Sequence, residues 1–162
     1  MTKSGALFQS TVDSEVILHM LAKSKKRTIM GAMQETLAQI DGALSMVLLG
    51  EGFMMAARDP NGWRPLVLGK LGDGYVVASE TCAFDLIGAT YECEIDPGEI
   101  VYIDKKGVQS ERIPVKHNKS MCIFEHVYFA RPDSKVFGDS VHLVRKEMGR
   151  QLARQNKIDA DL

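Results

Sequence analysis

The side chains that could do chemistry here are a carboxylate before a helix, arginines flanking a turn, a glycine-rich loop, and scattered histidines and cysteines. Asp13 follows Ser10-Thr11-Val12 and precedes an apolar helical repeat. An acidic residue in that place can complete a capping box, contributing about 0.5–2 kcal/mol. It can instead face a ligand ammonium group through a stronger charge-assisted bond. Local sequence favours the cap. Arg58-Asp59-Pro60-Asn61-Gly62-Trp63-Arg64-Pro65 sets proline and Asn-Gly where a tight turn demands them. It reads as a strand connection whose Arg58 and Asp59 pair with each other, with two arginines near an anion as the functional alternative. Gly69-Lys70-Leu71-Gly72-Asp73-Gly74 looks superficially like a phosphate loop. It lacks the Gly-Lys-Ser/Thr ending and a following helix, so a hairpin turn is expected.

His19, His117, His126 and His142 share no metal-ligand spacing. Cys82, Cys93 and Cys122 contain no Cys-x-x-Cys pair, which argues against a self-contained zinc site and against a disulfide framework. No Ser/His/Asp or Cys/His set can be assembled from spacing. Residue types alone reveal no active site.

The elements that must position these groups are clearer. Val16, Ile17, Met20 and Leu21 repeat at helical spacing. A basic connector, Lys23 to Arg27, leads to Thr28, a candidate cap for a second helix lined by Ile29, Met33, Leu37 and Ile40 and stopped by Asp41-Gly42. Three hairpins follow: 43–49 with 53–57, 66–70 with 75–79, and 99–104 with 108–113. A short helix is expected over 80–87. Near-continuous apolar strands imply that both sheet faces are covered. The chain turns polar over 114–120, an apolar run occupies 123–130, and a last helix over about 139–156 aligns Val141, Val144, Met148 and Leu152. Helices followed by sequential hairpins indicate an α+β fold with layered antiparallel sheet.

Composition sets outer bounds. The 162 residues suit one domain with a sizeable core. They are 45% apolar and 25% charged, with 20 Lys+Arg against 21 Asp+Glu for a net charge of -1. That balance argues against a generic nucleic-acid binder. The most apolar stretch, 43–49, is far shorter than the roughly 20 residues a membrane span needs. Met1-Thr2-Lys3-Ser4-Gly5 leads into no apolar signal region, so a cytoplasmic protein is expected. The nine methionines read as core filler.

Five blocks in order resemble glutamine phosphoribosylpyrophosphate amidotransferases: Phe8 to Glu15, Arg58 to Leu66, Val77 to Asp85, Asp96-Pro97-Gly98-Glu99, and Cys122 to Ser134. The resemblance covers essentially the whole chain. It implies the αββα sandwich of class II, N-terminal-nucleophile glutamine amidotransferases, here partial. On this resemblance residues 1–113 are the latter part of the glutaminase domain, 114–137 an interdomain segment, and 138–162 the start of a phosphoribosyltransferase domain. The implied parent reaction takes glutamine, phosphoribosyl pyrophosphate and water to 5-phosphoribosylamine, glutamate and pyrophosphate. The family nucleophile is an N-terminal cysteine with its own α-amino base. No cysteine here matches it, so no catalytic residue is assigned and the chain alone is expected to be inactive. Asp13 matches the carboxylate that binds the α-ammonium of glutamine. Cys122 matches a [4Fe–4S] ligand in one branch of the family, while Mg2+ belongs to the transferase half. Arg131 to Ser134 falls where the domains meet and is expected to fix that junction. The resemblance also implies homo-oligomers, with no nucleic-acid or membrane partner. The alternatives are another class II amidotransferase, or a non-enzymatic module that associates with full-length subunits.

Overall fold

The computed structural model describes residues 7–116, 118–156 and 158. His117 and the segment Met1 to Gly5 considered above lie outside the described residues. In chain order the first elements are α1 (Glu15–Lys23), α2 (Ile29–Leu37), β1 (Ser45–Gly50), β2 (Phe53–Arg58), β3 (Val67–Leu71), β4 (Gly74–Ala78) and α3 (Cys82–Ile87). Then come β5 (Thr90–Glu94), β6 (Glu99–Asp104), β7 (Gly107–Arg112), a π-helix (Glu125–Phe129), β8 (Lys135–Val136), β9 (Asp139–Ser140) and α4 (Val141–Gln155).

Two antiparallel sheets result, one ordered β1-β2-β6-β7 and the other β4-β3-β5, with β8-β9 as a separate small hairpin. The alternation of side chains along a strand sends neighbouring residues to opposite faces. Along β2, Met55 and Ala57 join Met33 and Leu37 of α2 in one core, while Met54 and Ala56 face the other sheet. β6 does the same, with Ile100 toward α2 and Val101 and Ile103 toward Leu66, Leu68 and Ile95. This double coverage explains why these strands are apolar at nearly every position. Met33 and Leu37 are essentially inaccessible, at 0% and 2% exposure, and their burial stabilises the α2 layer by about 2 kcal/mol each.

α2 begins where expected. Thr28 is extended at the N-cap and its side chain accepts a bond from Gly31 N–H at 3.1 Å. α3 forms the outer layer against the second sheet, with Phe84 seated on Gly69. The layers are therefore helix, sheet, sheet, helix. The glycine-rich stretch is the β3–β4 hairpin, turning through Gly72-Asp73 with Gly72 at φ +57°.

Several elements differ from the sequence reading, among them the β8–β9 hairpin, whose second strand takes residues 139–140 from the expected start of the last helix. β5 was not expected, yet it pairs with β3 along an irregular register that shifts between Leu68 and Gly69. Within the apolar run 123–130, Glu125–Phe129 form a π-helix whose buried residues are Glu125 and His126, and of the run's apolar residues Ala130 alone is buried, against Val136 and Val141.

Gly69 sets how closely the outer helix approaches. A Cβ there would sit 2.9 Å from Phe84 Cε2 and 3.0 Å from the backbone oxygen of Thr90. Gly69→Ala should therefore overpack this layer and lower stability by about 1–3 kcal/mol, seen as a lower urea midpoint with an unchanged slope.

Candidate functional site

Asp13 lies one residue before the N-cap Ser14 of α1 and is exposed. The capping box expected between Ser10 and Asp13 does not form. Ser14 caps no N–H with its side chain, and the hydroxyl of Ser10 is engaged elsewhere. Glu15 does the holding instead. Its carboxylate accepts Gln9 N–H at 2.7 Å, Ser10 N–H at 2.9 Å and the Ser10 hydroxyl at 2.6 Å. Ser10 Oγ in turn accepts Val12 N–H at 3.2 Å. His19 Nε2 stands 3.5 Å from Glu15 Oε1, an electrostatic contact rather than a hydrogen bond, and its ring meets Phe8 edge-on at 4.6 Å. The negative charge also suits the helix N-terminus. Asp13 itself makes no side-chain hydrogen bond or ion pair among the described residues, which leaves both oxygens open to a ligand cation.

The Arg58–Pro65 block is structural, but not in the way the sequence suggested. Arg58 and Asp59 do not pair. Arg58, wholly buried, donates to Glu94 at 2.8 Å, to the Ile95 carbonyl at 2.7 Å and to the Gly62 carbonyl at 3.0 Å. Asp59, also buried, accepts Asn61 and Gly62 N–H at 2.9 Å each, with Leu44 N–H at 3.3 Å. Gly62 sits at φ +67°, and a Cβ there would lie 2.6 Å from Pro97 Cγ. Arg58 is paired with Glu94 across the two sheets and Asp59 is filled by backbone N–H groups of the turn and of Leu44, so the block reads as structural rather than as an anion site. Arg64 pairs with Glu125 at 2.7 Å and lies over the Phe129 ring at 4.6 Å.

A third constellation joins residues far apart in sequence. Glu80 Oε2 accepts the Ser134 hydroxyl at 2.6 Å and Arg131 N–H at 2.8 Å, and Thr81 Oγ1 accepts Lys135 N–H at 2.9 Å. Arg131 pairs with Asp133 at 2.7 Å, which holds that carboxyl below its ordinary value. Arg145 of α4 donates to the carbonyls of His126 at 2.6 Å and Ala130 at 2.7 Å, closing the end of the π-helix. Glu15, Glu80 and Arg145 carried no signal of their own in the sequence. Each acts on backbone groups of another segment, and no spacing rule reports that.

Cys122 is half-buried, its N–H donating to the Trp63 carbonyl at 3.1 Å. Among the described residues no group of three or more His, Cys, Asp or Glu side chains could hold a metal ion. An iron–sulfur cluster needs several thiolates, so Cys122 does not make such a site with the residues described.

A family model for the glutamine amidotransferase domain matches residues 1–85. The chain belongs to the glutamine amidotransferase domain family. It is 43% identical over 162 residues to an amidophosphoribosyltransferase of Bacillus subtilis (strain 168), covering all of this chain and 34% of that protein. It is 44% identical over 163 residues to the chloroplastic amidophosphoribosyltransferase 1 of Arabidopsis thaliana, covering all of this chain and 29% of that protein. Among solved structures, the glutamine phosphoribosylpyrophosphate amidotransferase from B. subtilis complexed with ADP and GMP matches with a TM-score of 0.95 at 43% identity. The match covers 99% of this chain and 35% of that one. The chain thus spans about a third of the length of the relatives it matches. The amidotransferase sandwich expected from the five blocks is the fold observed. Among the described residues no helix is long and apolar enough to cross a membrane.

The hydrogen bonds from Ser10 and Gln9 hold the Glu15 carboxyl down at about 2, against an ordinary 4.5. A depressed carboxyl contributes stability that is complete above its unfolded value and is lost as pH falls through its folded value. The Gln9–Asp13 turn should therefore stay closed at pH 4 and open only as pH approaches about 2. The amide signals of Gln9 and Ser10, followed by NMR during acid titration, check this; a midpoint near 4.5 would contradict it.

Proposed function

We propose that this chain is part of an amidophosphoribosyltransferase. Residues 1–113 are the latter part of its glutamine-hydrolysing domain, 114–137 the connecting segment, and 138–162 the start of the phosphoribosyltransferase domain. The parent hydrolyses glutamine and uses the ammonia to displace pyrophosphate from phosphoribosyl pyrophosphate. The supporting observation is 43% identity along the whole chain with a TM-score of 0.95, to an enzyme whose name states both substrates. Homo-oligomerisation and a cytoplasmic location belong to the same proposal, although relatives in plants are chloroplastic. Mg2+ and any [4Fe–4S] cluster, with Cys122 as one ligand, belong to the parent.

Within this chain the contribution to catalysis is binding. Asp13 takes the α-ammonium of glutamine, orienting the substrate so that its side-chain amide meets the nucleophile. None of the three cysteines suits that attack. Cys82 is buried, with its thiol 3.7 Å from Glu80 Oε2. Cys93 is on the exposed edge strand, and partial desolvation with Glu99, Glu92 and Asp96 nearby pushes its thiol up and reduces its thiolate fraction. Cys122 sits at the foot of the π-helix, away from α1 in sequence and bonded to the Trp63 backbone.

The test uses the complete gene product carrying these 162 residues. Phosphoribosylamine formation from glutamine is measured relative to formation from ammonia, which bypasses glutamine binding. A hydrogen bond between charged partners contributes about 1.5–3 kcal/mol, so Asp13→Asn should raise the glutamine KM about 10- to 150-fold. The 162-residue chain alone should hydrolyse no glutamine. Hydrolysis by the chain alone would overturn the inactivity, and an unchanged glutamine KM in Asp13→Asn would overturn the role of Asp13.

A further inference from the structure

We infer that Glu15 is a positioning residue for Asp13, fixing the turn that carries the substrate-binding carboxylate. The inference rests on the reading of Asp13 as the ammonium ligand. Two carboxylates lie two residues apart at the start of α1, in opposite circumstances. Glu15 is saturated: three donors from Gln9 and Ser10 fill its oxygens, and His19 stands beside it. Asp13 is exposed and accepts nothing from the described residues.

The geometry makes one depend on the other. Residues 9–13 run along the surface, and every position from Gln9 to Ser14 is exposed, so no burial holds the segment. Its C-terminal end is fixed by the helix, through Glu15 N–H to the Val12 carbonyl at 3.2 Å and Val16 N–H to the Asp13 carbonyl at 3.2 Å. Its N-terminal end is fixed by the Glu15 carboxylate. Ser10 Oγ, donating to Glu15 and accepting from Val12, braces the middle. Asp13 lies between these anchors. A side chain that must meet an ammonium within a few tenths of an ångström needs both. The saturation of Glu15 also removes it as a competitor for the ligand cation, so the ammonium goes to Asp13.

A double-mutant cycle in the complete gene product tests this, read as the glutamine KM with kcat recorded separately. Glu15→Ala should raise the glutamine KM about tenfold while changing kcat less than twofold. Glu15→Gln keeps an acceptor for one backbone N–H and loses the others, so it should raise the glutamine KM less than Glu15→Ala, about threefold, and it serves if the alanine variant folds poorly. In an Asp13→Asn background, Glu15→Ala should add less than twofold, because a residue acting through Asp13 has nothing left to position. Effects that multiply in full would mean that Glu15 acts independently, and the inference would fall. If Asp13→Asn raises KM but neither Glu15 variant does, positioning alone fails. If Asp13→Asn leaves KM unchanged, the ammonium reading fails and this inference with it.

Discussion

The buried guanidinium of Arg58 is the constraint on which most of this structure depends. It stands at the end of β2, in the first sheet, and donates to Glu94 and Ile95 at the end of β5, in the second. A third donation closes the Asp59–Gly62 turn, and Phe137 of the β8–β9 hairpin lies 5.5 Å from the guanidinium carbon. One side chain thus ties together both sheets, the turn between them and the segment leading to α4. Stranding a buried charge by removing its partner costs about 3–5 kcal/mol, more than most single core contacts supply. The planar fork of arginine matters as well, since a lysine could not serve two carbonyls and a carboxylate in fixed directions.

Phe137 shows the same constraint from the other side. It adopts φ +54° and is followed by Gly138 at +90°, the paired positive values of a tight two-residue hairpin turn. Glycine or asparagine would be the usual first residue there, and a phenylalanine is strained. The ring compensates by filling the space between Arg58 and His126, whose rings or planes lie 5.5 and 5.8 Å away. Beside it, Glu80 grips Arg131 and Ser134 through backbone and hydroxyl donors, and Arg145 closes the carbonyl end of the π-helix. These contacts fix the backbone between residues 125 and 141 with few buried apolar side chains, Ala130, Val136 and Val141 forming the small core there. Polar bonds to backbone groups do the work that a hydrophobic core does elsewhere in the chain.

What was legible in the sequence follows from which forces were local. The three hairpins were, because each turn contains glycine and each pair includes an apolar strand, β2, β3 or β6, even where its partner is polar and exposed, as β7 is. The second helix was, because Thr28 and the Met33–Leu37 stripe act within a few residues of each other. β5 was not. It is an edge strand, exposed from Thr90 to Cys93, so Thr-Tyr-Glu-Cys-Glu has no buried alternation to reveal it. The 123–130 run shows the converse, since Phe124, Val127 and Tyr128 are apolar or aromatic yet exposed. The Arg58–Asp59 pairing failed because both residues found partners 36 or more positions away or in the turn backbone, which adjacency in sequence cannot predict.

The proposed ammonium site was half legible for a related reason. A carboxylate before a helix has two chemically sensible roles, and the identity of Asp13 does not choose between them. The choice depends on where the donors of the preceding segment go. Here Gln9 N–H, Ser10 N–H and the Ser10 hydroxyl all go to Glu15, whose longer side chain reaches back five and six residues. Once that carboxylate is filled, Asp13 receives no donor from Gln9 or Ser10, and its oxygens face solvent, which is what the proposed ammonium site requires. The proposed role of Asp13 thus rests on what its neighbour Glu15 takes away from it, and that allocation exists only in three dimensions.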